Sequence, residues 1–369
     1  MSSICIQYQL KSLDHPYSGG TTMADLHINY WKLPKSRGFE RFMDFGLLIH
    51  NLTSDITAIS LYLPVNIPRD NVFDLGKYIA DGNMMSHLFN GNYMVSNVIK
   101  SNSFYTAECN ETSKPSFLLY SFGKHFNVEK MSVGSRIVIP IGEFPDETNL
   151  IKQKNDNLDS SVNRELYIRF RIENIQDKDF GHIEAISNDF LQSAFSKMEM
   201  LNFHINEFRE IPVDDSEEIQ KGWNYFSFSK IHFYFIGSSE DEKVTGHKSY
   251  KDSRLLDYHK WRSYLNNHNS KQKQCIAYHW KYEKDDKLDN MPTNIFIRTV
   301  YSSLQPFKIL KYCFIILLLG FVGSLLANFF YDLFERGISY KNGLQDLETT
   351  IVSSENTLRD NPTYKLKEK

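Results

Sequence analysis

The sequence lacks the signatures that usually announce a chemistry. Walker A, G-x-S-x-G and H-E-x-x-H patterns are absent, and with them the phosphate loop, the nucleophile elbow and the zinc helix that they encode. Asp44-Phe45-Gly46 spells the metal-binding triplet of protein kinases. No His-Arg-Asp loop or glycine-rich loop accompanies it, so the triplet reads as chance. Ser18-Gly19-Gly20-Thr21-Thr22 has no strand-to-helix context and reads as a loop. No catalytic, cofactor-binding or metal-ligating residue is assigned, and no cofactor is expected.

Cysteine is scarce. Cys5, Cys109, Cys275 and Cys313 are isolated and form no C-x-x-C pair, which excludes a clustered zinc site and a disulfide framework. They are expected to be reduced, mostly structural thiols. Positive charge is not in excess: 42 Lys and Arg stand against 45 Asp and Glu. That balance lacks the basic footprint of a nucleic-acid binder, so no nucleic-acid partner is expected. At the N-terminus no basic patch leads into an apolar run, and Lys11, Asp14 and His15 interrupt any candidate. The N-terminal body is therefore expected to stay in the compartment where it is made. Asn51-Leu52-Thr53 and Asn110-Glu111-Thr112 match the glycosylation pattern, which matters only in a secretory lumen.

The twelve histidines are scattered. His232 and His279 fall in candidate strands and are able to approach each other in a sheet. No acidic partner is assignable to them from sequence, and they read as structural. The acidic run Asp214, Asp215, Glu217 and Glu218 reads as a solvated loop. Trp223-Asn224-Tyr225-Phe226 and His279-Trp280 read as core aromatics of a β-rich domain.

What the sequence does have is aromatic strand formers, 27 Phe and 21 Tyr. Period-two alternation and turn clusters predict strands over Ile4–Leu10, Leu26–Lys32, Phe42–Asn51, Ile56–Val65, Phe117–Phe122 and Arg136–Ile141. Later strands are predicted over Glu165–Ile175, Lys230–Ile236, Cys275–Tyr282 and Asn294–Val300. In LYIRFRI, Leu166, Ile168, Phe170 and Ile172 point one way, and Tyr167, Arg169 and Arg171 the other. Helices are predicted over Asp70–Asp81 and Ser253–Leu265, and a helix then a strand over Leu191–Ile211. Gly237–Ser253 reads as an exposed loop. The expected body, residues 1–303, is mainly β: a β-sandwich or jelly-roll-like fold with few helices. Its possible sub-boundary lies near 145–163.

One long hydrophobic run is present. Tyr312 to Tyr331 has no charge, and at about 1.5 Å per residue it matches the roughly 30 Å hydrocarbon core of a bilayer. Residues 308–331 are therefore expected to form a single transmembrane helix with its basic flank. Lys308 and Lys311 supply that flank, and Tyr312 and Tyr331 are placed as interfacial aromatics. Gly320, Gly323, Ser324 and Ala327 share one helix face, a pattern suited to close helix packing and self-association. In the tail, 332–369, Leu344, Leu347, Ile351, Ser354 and Leu358 form a short heptad seam, ended by Asn361-Pro362 and followed by a disordered Lys-rich end.

These features lead to the expectation of a non-enzymatic single-pass membrane protein. Its cytoplasmic β-rich body binds a ligand or protein partner, and its helix, in the lipid bilayer, self-associates to signal or act. Bacterial immune effectors share this layout, an architectural analogy that no motif carries. The alternatives are a tethered scaffold or accessory subunit, and a membrane-bound hydrolase or transferase. The last requires a pocket that gathers His and carboxylate side chains distant in sequence.

Overall fold

A computed structural model describes residues 2–11, 22–35, 38–50, 55–80, 84–98, 101–111, 114–142, 165–185, 196–239, 243–246, 248–265, 268, 274–283, 294–302 and 306–359. The chain divides into two units, Met1–Ser303 and Leu304–Lys369.

The first unit holds two sheets. One runs β16 (Lys243–Gly246), β19 (Asn294–Ser302), β13 (Ser196–Ile205), β1 (Ser2–Leu10), β4 (Ile56–Leu63), β10 (Ser135–Pro140), β9 (Asn127–Lys130). Here β12 (Gly181–Ala185) pairs with β13, and β14 (Asn224–Tyr225) with β1. The other runs β17 (Asp252–Leu256), β18 (Cys275–Glu283), β15 (Ser227–Ser238), β2 (Met23–Pro34), β3 (Phe39–Ile49), β11 (Leu166–Ile172), β8 (Phe117–Tyr120), β7 (Phe104–Cys109), β6 (Tyr93–Asn97). A short β5 (Val72–Asp74) also pairs with β11. Both sheets are mixed: β1 with β13, β2 with β15 and β8 with β11 are parallel.

Alternation decides what each strand buries. Leu26, Ile28 and Tyr30 of β2, Ile168 and Phe170 of β11, and Phe233 and Phe235 of β15 enter one core with Ile4 and Ile6 of β1, Leu61 of β4 and Phe203 of β13. A core shared by two sheets makes the body a β-sandwich. A buried ionic strut also ties them: Glu199 of β13 meets Lys32 of β2 at 2.9 Å and Arg41 of β3 at 3.1 Å.

The other face of the second sheet has a core of its own. Trp31, Phe42, Leu48, Tyr167 and Ile236 pack with Ile79 of α1 (Gly76–Ala80), Met84 and Met85 of α2 (Met84–Phe89), and Trp261 and Tyr264 of a helix at Tyr258–Leu265. All seven residues of LYIRFRI are therefore buried, Arg169 and Arg171 included. In chain order, two further helices precede that last one: α3 (Asp177–Phe180) and α4 (Val213–Gln220), so Tyr258–Leu265 is α5. Cys5 and Cys275 are buried and free, and Cys109 is half-buried.

Several local expectations are corrected. Asp70–Asp81 is not one helix but a 3-10 turn, the strand β5 and the short α1, because Asp74 accepts from the Gly76 N–H (2.9 Å) and so separates strand from helix. Ser253–Leu256 belongs to β17, and the helix starts only at Tyr258. Ser196–Ile205 is strand throughout, and the remainder of Leu191–Ile211 before it lies outside the described residues. Within Gly237–Ser253, Lys243–Gly246 is strand β16. The acidic run is helix α4 rather than loop. Its Asp215 is fully buried, accepting from the Tyr62 hydroxyl (3.0 Å) and the Ser132 and Val133 N–H groups (2.7 and 3.2 Å).

Residues 143–164, which include the possible sub-boundary, lie outside the described residues. Strand β11 follows that stretch and β3 precedes it, and the two pair along their length. Residues 12–21 and 51–54 lie outside as well, with the glycine-threonine loop up to Thr21 and the first glycosylation triplet.

In the second unit, α6 (Pro306–Arg359) is one helix of 54 residues, about 80 Å long at 1.5 Å per residue. Among the described residues it is the one helix long and apolar enough to cross a membrane, and none of its apolar window is buried. The helix runs past Tyr331 through Leu344, Leu347 and Ile351 without a break, so the tail seam is a continuation of it.

A candidate ligand-binding cleft on the outer sheet face

Between α2 and α5 the outer face of the second sheet stays open. A cleft of about 940 Å³ lies there, at the upper end of the range for small-molecule sites. Its floor comes from outward-facing residues of adjacent strands, so the register fixes its chemistry. Across β11, β3, β2 and β15, Arg169 pairs with Gly46, Gly46 with His27, and His27 with His232. The next row pairs Asn29 with Tyr234, Tyr234 with His279, and His279 with Asp252 of β17. Phe89 and Trp261 line the sides.

Gly46 has a specific task on this floor. A Cβ there would collide with the Tyr167 hydroxyl and come within 3.0 Å of Arg169 Nη1. The missing side chain lets Tyr167 lie across β3. Its hydroxyl accepts from Arg169 Nη1 (2.9 Å) and lies 3.5 Å from His27 Nδ1. An arginine only donates, so the Tyr167 proton is left for His27. The kinase-like triplet is thus a structural feature of the cleft floor. Its Asp44 is fully buried and accepts from Arg171 Nε (2.7 Å), Trp31 Nε1 (2.8 Å) and the Tyr264 hydroxyl (2.7 Å).

A second polar chain enters from the other side. Asp252 Oδ2 lies 3.3 Å from His279 Nδ1, and His279 Nε2 lies 3.0 Å from His232 Nδ1. The carboxylate accepts, so His279 carries its proton on Nδ1 and accepts on Nε2. His232 must then donate from Nδ1, which leaves the lone pair on its own Nε2. That nitrogen has no hydrogen-bond partner among the described residues. Burial comes first among the causes that hold these rings neutral. It pushes His27 well below its ordinary value, helped by His232 and Arg169, and pushes His232 down to about 4, helped by His279. His279 is lowered by burial too, against the pull of Asp252. His50 behaves oppositely. Hydrogen bonds to Asp25 and then Glu165 raise it to about 9, so it is an imidazolium at neutral pH.

The structure therefore joins His232 and His279 in one site and supplies the acidic partner, Asp252, that sequence reasoning did not find. His27, Tyr167, Arg169 and Gly46 were missed as site residues. The signal for them was alternation: every second residue of three aromatic-rich strands is polar. The residues named from sequence on the apolar helix stand elsewhere. Gly320, Gly323, Ser324 and Ala327 lie on α6, where a Cβ on either glycine would meet nothing within 4 Å. Lys311 and Tyr331 are exposed on α6, and Lys308 and Tyr312 belong to it as well. Among the described residues no three His, Cys, Asp or Glu side chains are grouped to hold a metal ion. The search of protein families and of curated proteins returned no match to this chain.

Proposed function

We propose that the chain is a membrane-anchored receptor. Its β-sandwich binds a small polar molecule in the outer cleft, and its apolar helix spans the bilayer once and self-associates through the Gly320, Gly323, Ser324 and Ala327 face. The body stands on the cytoplasmic side in this reading. The observation that carries it is the cleft: a large concavity with polar groups from five strands converging on its floor. The exposure of the whole apolar window supports the anchor.

The test uses full-length protein in mild detergent and a broad panel of neutral, cationic and anionic metabolites. Binding is read as thermal stabilisation. Hits lost on His232→Trp, which fills the cleft, support the reading; a panel with no such hit refutes it. For the anchor, the protein stays with vesicles through an alkaline carbonate wash, and release into the supernatant refutes spanning. Gly320→Leu with Gly323→Leu abolishes cross-linked oligomers.

A second reading, a hydrolase, is favoured by one observation, the Asp252–His279–His232 chain that presents a lone pair to the cleft. It is distinguished by turnover: hits recovered chemically unchanged after long incubation exclude it.

A further inference from the structure

We propose that the cleft takes an anionic ligand carrying a flat nitrogen heterocycle, the chemistry of a nucleotide. This rests on the receptor reading above and names the ligand class of that site.

A buried positive charge beside the cleft is left uncompensated. Arg169 and Arg171 are both about 2% exposed, and the fully buried Asp44 lies between them. Asp44 is taken up by Arg171, at 2.7 Å, while Arg169 Nη2 reaches it only at 3.9 Å and makes no hydrogen bond. The carboxylate near Arg171, Glu173, is engaged at 2.7 Å by His268. Two guanidiniums thus share one full carboxylate, and the one left short lines the cleft. Burying an unbalanced cation is costly, and an anion seated in the cleft offsets that cost.

The rest of the lining adds to that charge. Lys114, Lys230, Lys251, Arg254 and Lys281 join Arg169, and His50 adds a charge at neutral pH. Against them stand Asp25, Glu165 and Asp252. Asp25 and Glu165 are both hydrogen-bonded to His50, and Asp252 to His279. Two carboxylates just outside, Glu111 and Glu283, pair with Lys114 and Lys281. Lys251 and Arg254, both exposed, form no ion pair among the described residues. The cleft is therefore positive within a chain of net charge -3, and such a concavity concentrates anions.

The uncharged part of the lining is aromatic. Phe89 is half-exposed on one wall, and Tyr234 stacks on His279, their centroids 4.3 Å apart at 5°, with His232 hydrogen-bonded edge to edge with His279. Neutral imidazoles offer both donors and acceptors, as the edge of a nitrogen heterocycle does. His27 and His232 face each other across β2 and β15 with their Nε2 atoms unengaged among the described residues. Aromatic walls with such edges favour a ring over an aliphatic acid.

The experiment measures binding to detergent-solubilised full-length protein with four probes: ATP, pyrophosphate, adenosine and spermine. ATP binds most tightly, pyrophosphate and adenosine at least tenfold more weakly, and spermine not at all. Lys251→Glu with Arg254→Glu weakens ATP and pyrophosphate at least tenfold and leaves adenosine unchanged. Phe89→Ala weakens ATP and adenosine roughly tenfold and leaves pyrophosphate unchanged. Each variant is checked for an unaltered melting temperature, and Lys251→Gln with Arg254→Gln replaces the charge reversal if it unfolds the protein. Adenosine or spermine binding as tightly as ATP, or no binding by any probe, overturns the ligand class. The receptor reading then still stands or falls on the broad panel and His232→Trp, so the two failures are distinguishable.

Discussion

Replacing Gly46 by Ala is the sharpest probe of the cleft floor. The new methyl group must displace the Tyr167 hydroxyl, and with it goes the 2.9 Å hydrogen bond from the buried Arg169. Hydrogen bonds to charged groups contribute about 1.5–3 kcal/mol. Alanine returns about 0.5–1 kcal/mol through backbone entropy. Gly46→Ala should therefore destabilise the fold by about 1–2 kcal/mol. Tyr167→Phe removes the same bond without a collision and should cost about 2 kcal/mol. The two changes share one mechanism, so their effects cannot add. The double variant should cost no more than Tyr167→Phe alone, a coupling of about 1–2 kcal/mol. The assay is urea unfolding of the full chain in detergent, followed by tryptophan fluorescence, to which Trp31 and Trp261 at this site contribute. Additive effects, or a Gly46→Ala variant as stable as the parent, would refute the account of why glycine stands there.

Two further outcomes follow from the charged groups around that floor. Asp44→Asn removes the carboxylate that holds Arg171 and Trp31 and leaves two buried arginines without an anion, so unfolding should become easier by about 3–5 kcal/mol in the same assay. His50 is raised from 6.5 to about 9 by Asp25 and Glu165, so its contribution is full below pH 6.5 and is lost as pH rises through 9. Since His50 is partly solvated, that contribution is about 2 kcal/mol after screening. His50→Gln should flatten the decline in stability between pH 6.5 and 9. An unchanged profile would mean that the imidazolium does not bridge the two carboxylates.

The sandwich was legible because alternation is local. Ile4–Leu10, Leu26–Lys32 and Lys230–Ile236 each bury one aliphatic or aromatic side every second residue, and all three are strands. The errors fall where local pattern and register compete. Leu255 and Leu256 have helical spacing with Leu265, yet pairing of β17 with β18 claims Ser253–Leu256 as strand. A run of carboxylates at 214–218 looks solvated, but one of them, Asp215, closes a buried network with Tyr62, 153 residues away in sequence. Nothing within either segment encodes that partner.

The site was hidden for a related reason. Each of its residues looks ordinary in sequence: an arginine alternating with isoleucine, a histidine between a leucine and an isoleucine. Alternation places them on the outer face, and the ordinary inference is that such a face is wet and inert. What changes their meaning is coverage. Short helices α1, α2 and α5 roof most of that face with Ile79, Met85 and Trp261, so the polar residues left beneath are desolvated and must find partners or remain costly. Arg171, Asp44 and Tyr264 find them within the protein. His232, His27 and Arg169 find them only in part among the described residues, around the opening between α2 and α5. In the receptor we propose, a ligand entering that opening completes the hydrogen bonds of these imidazoles and of the half-satisfied guanidinium.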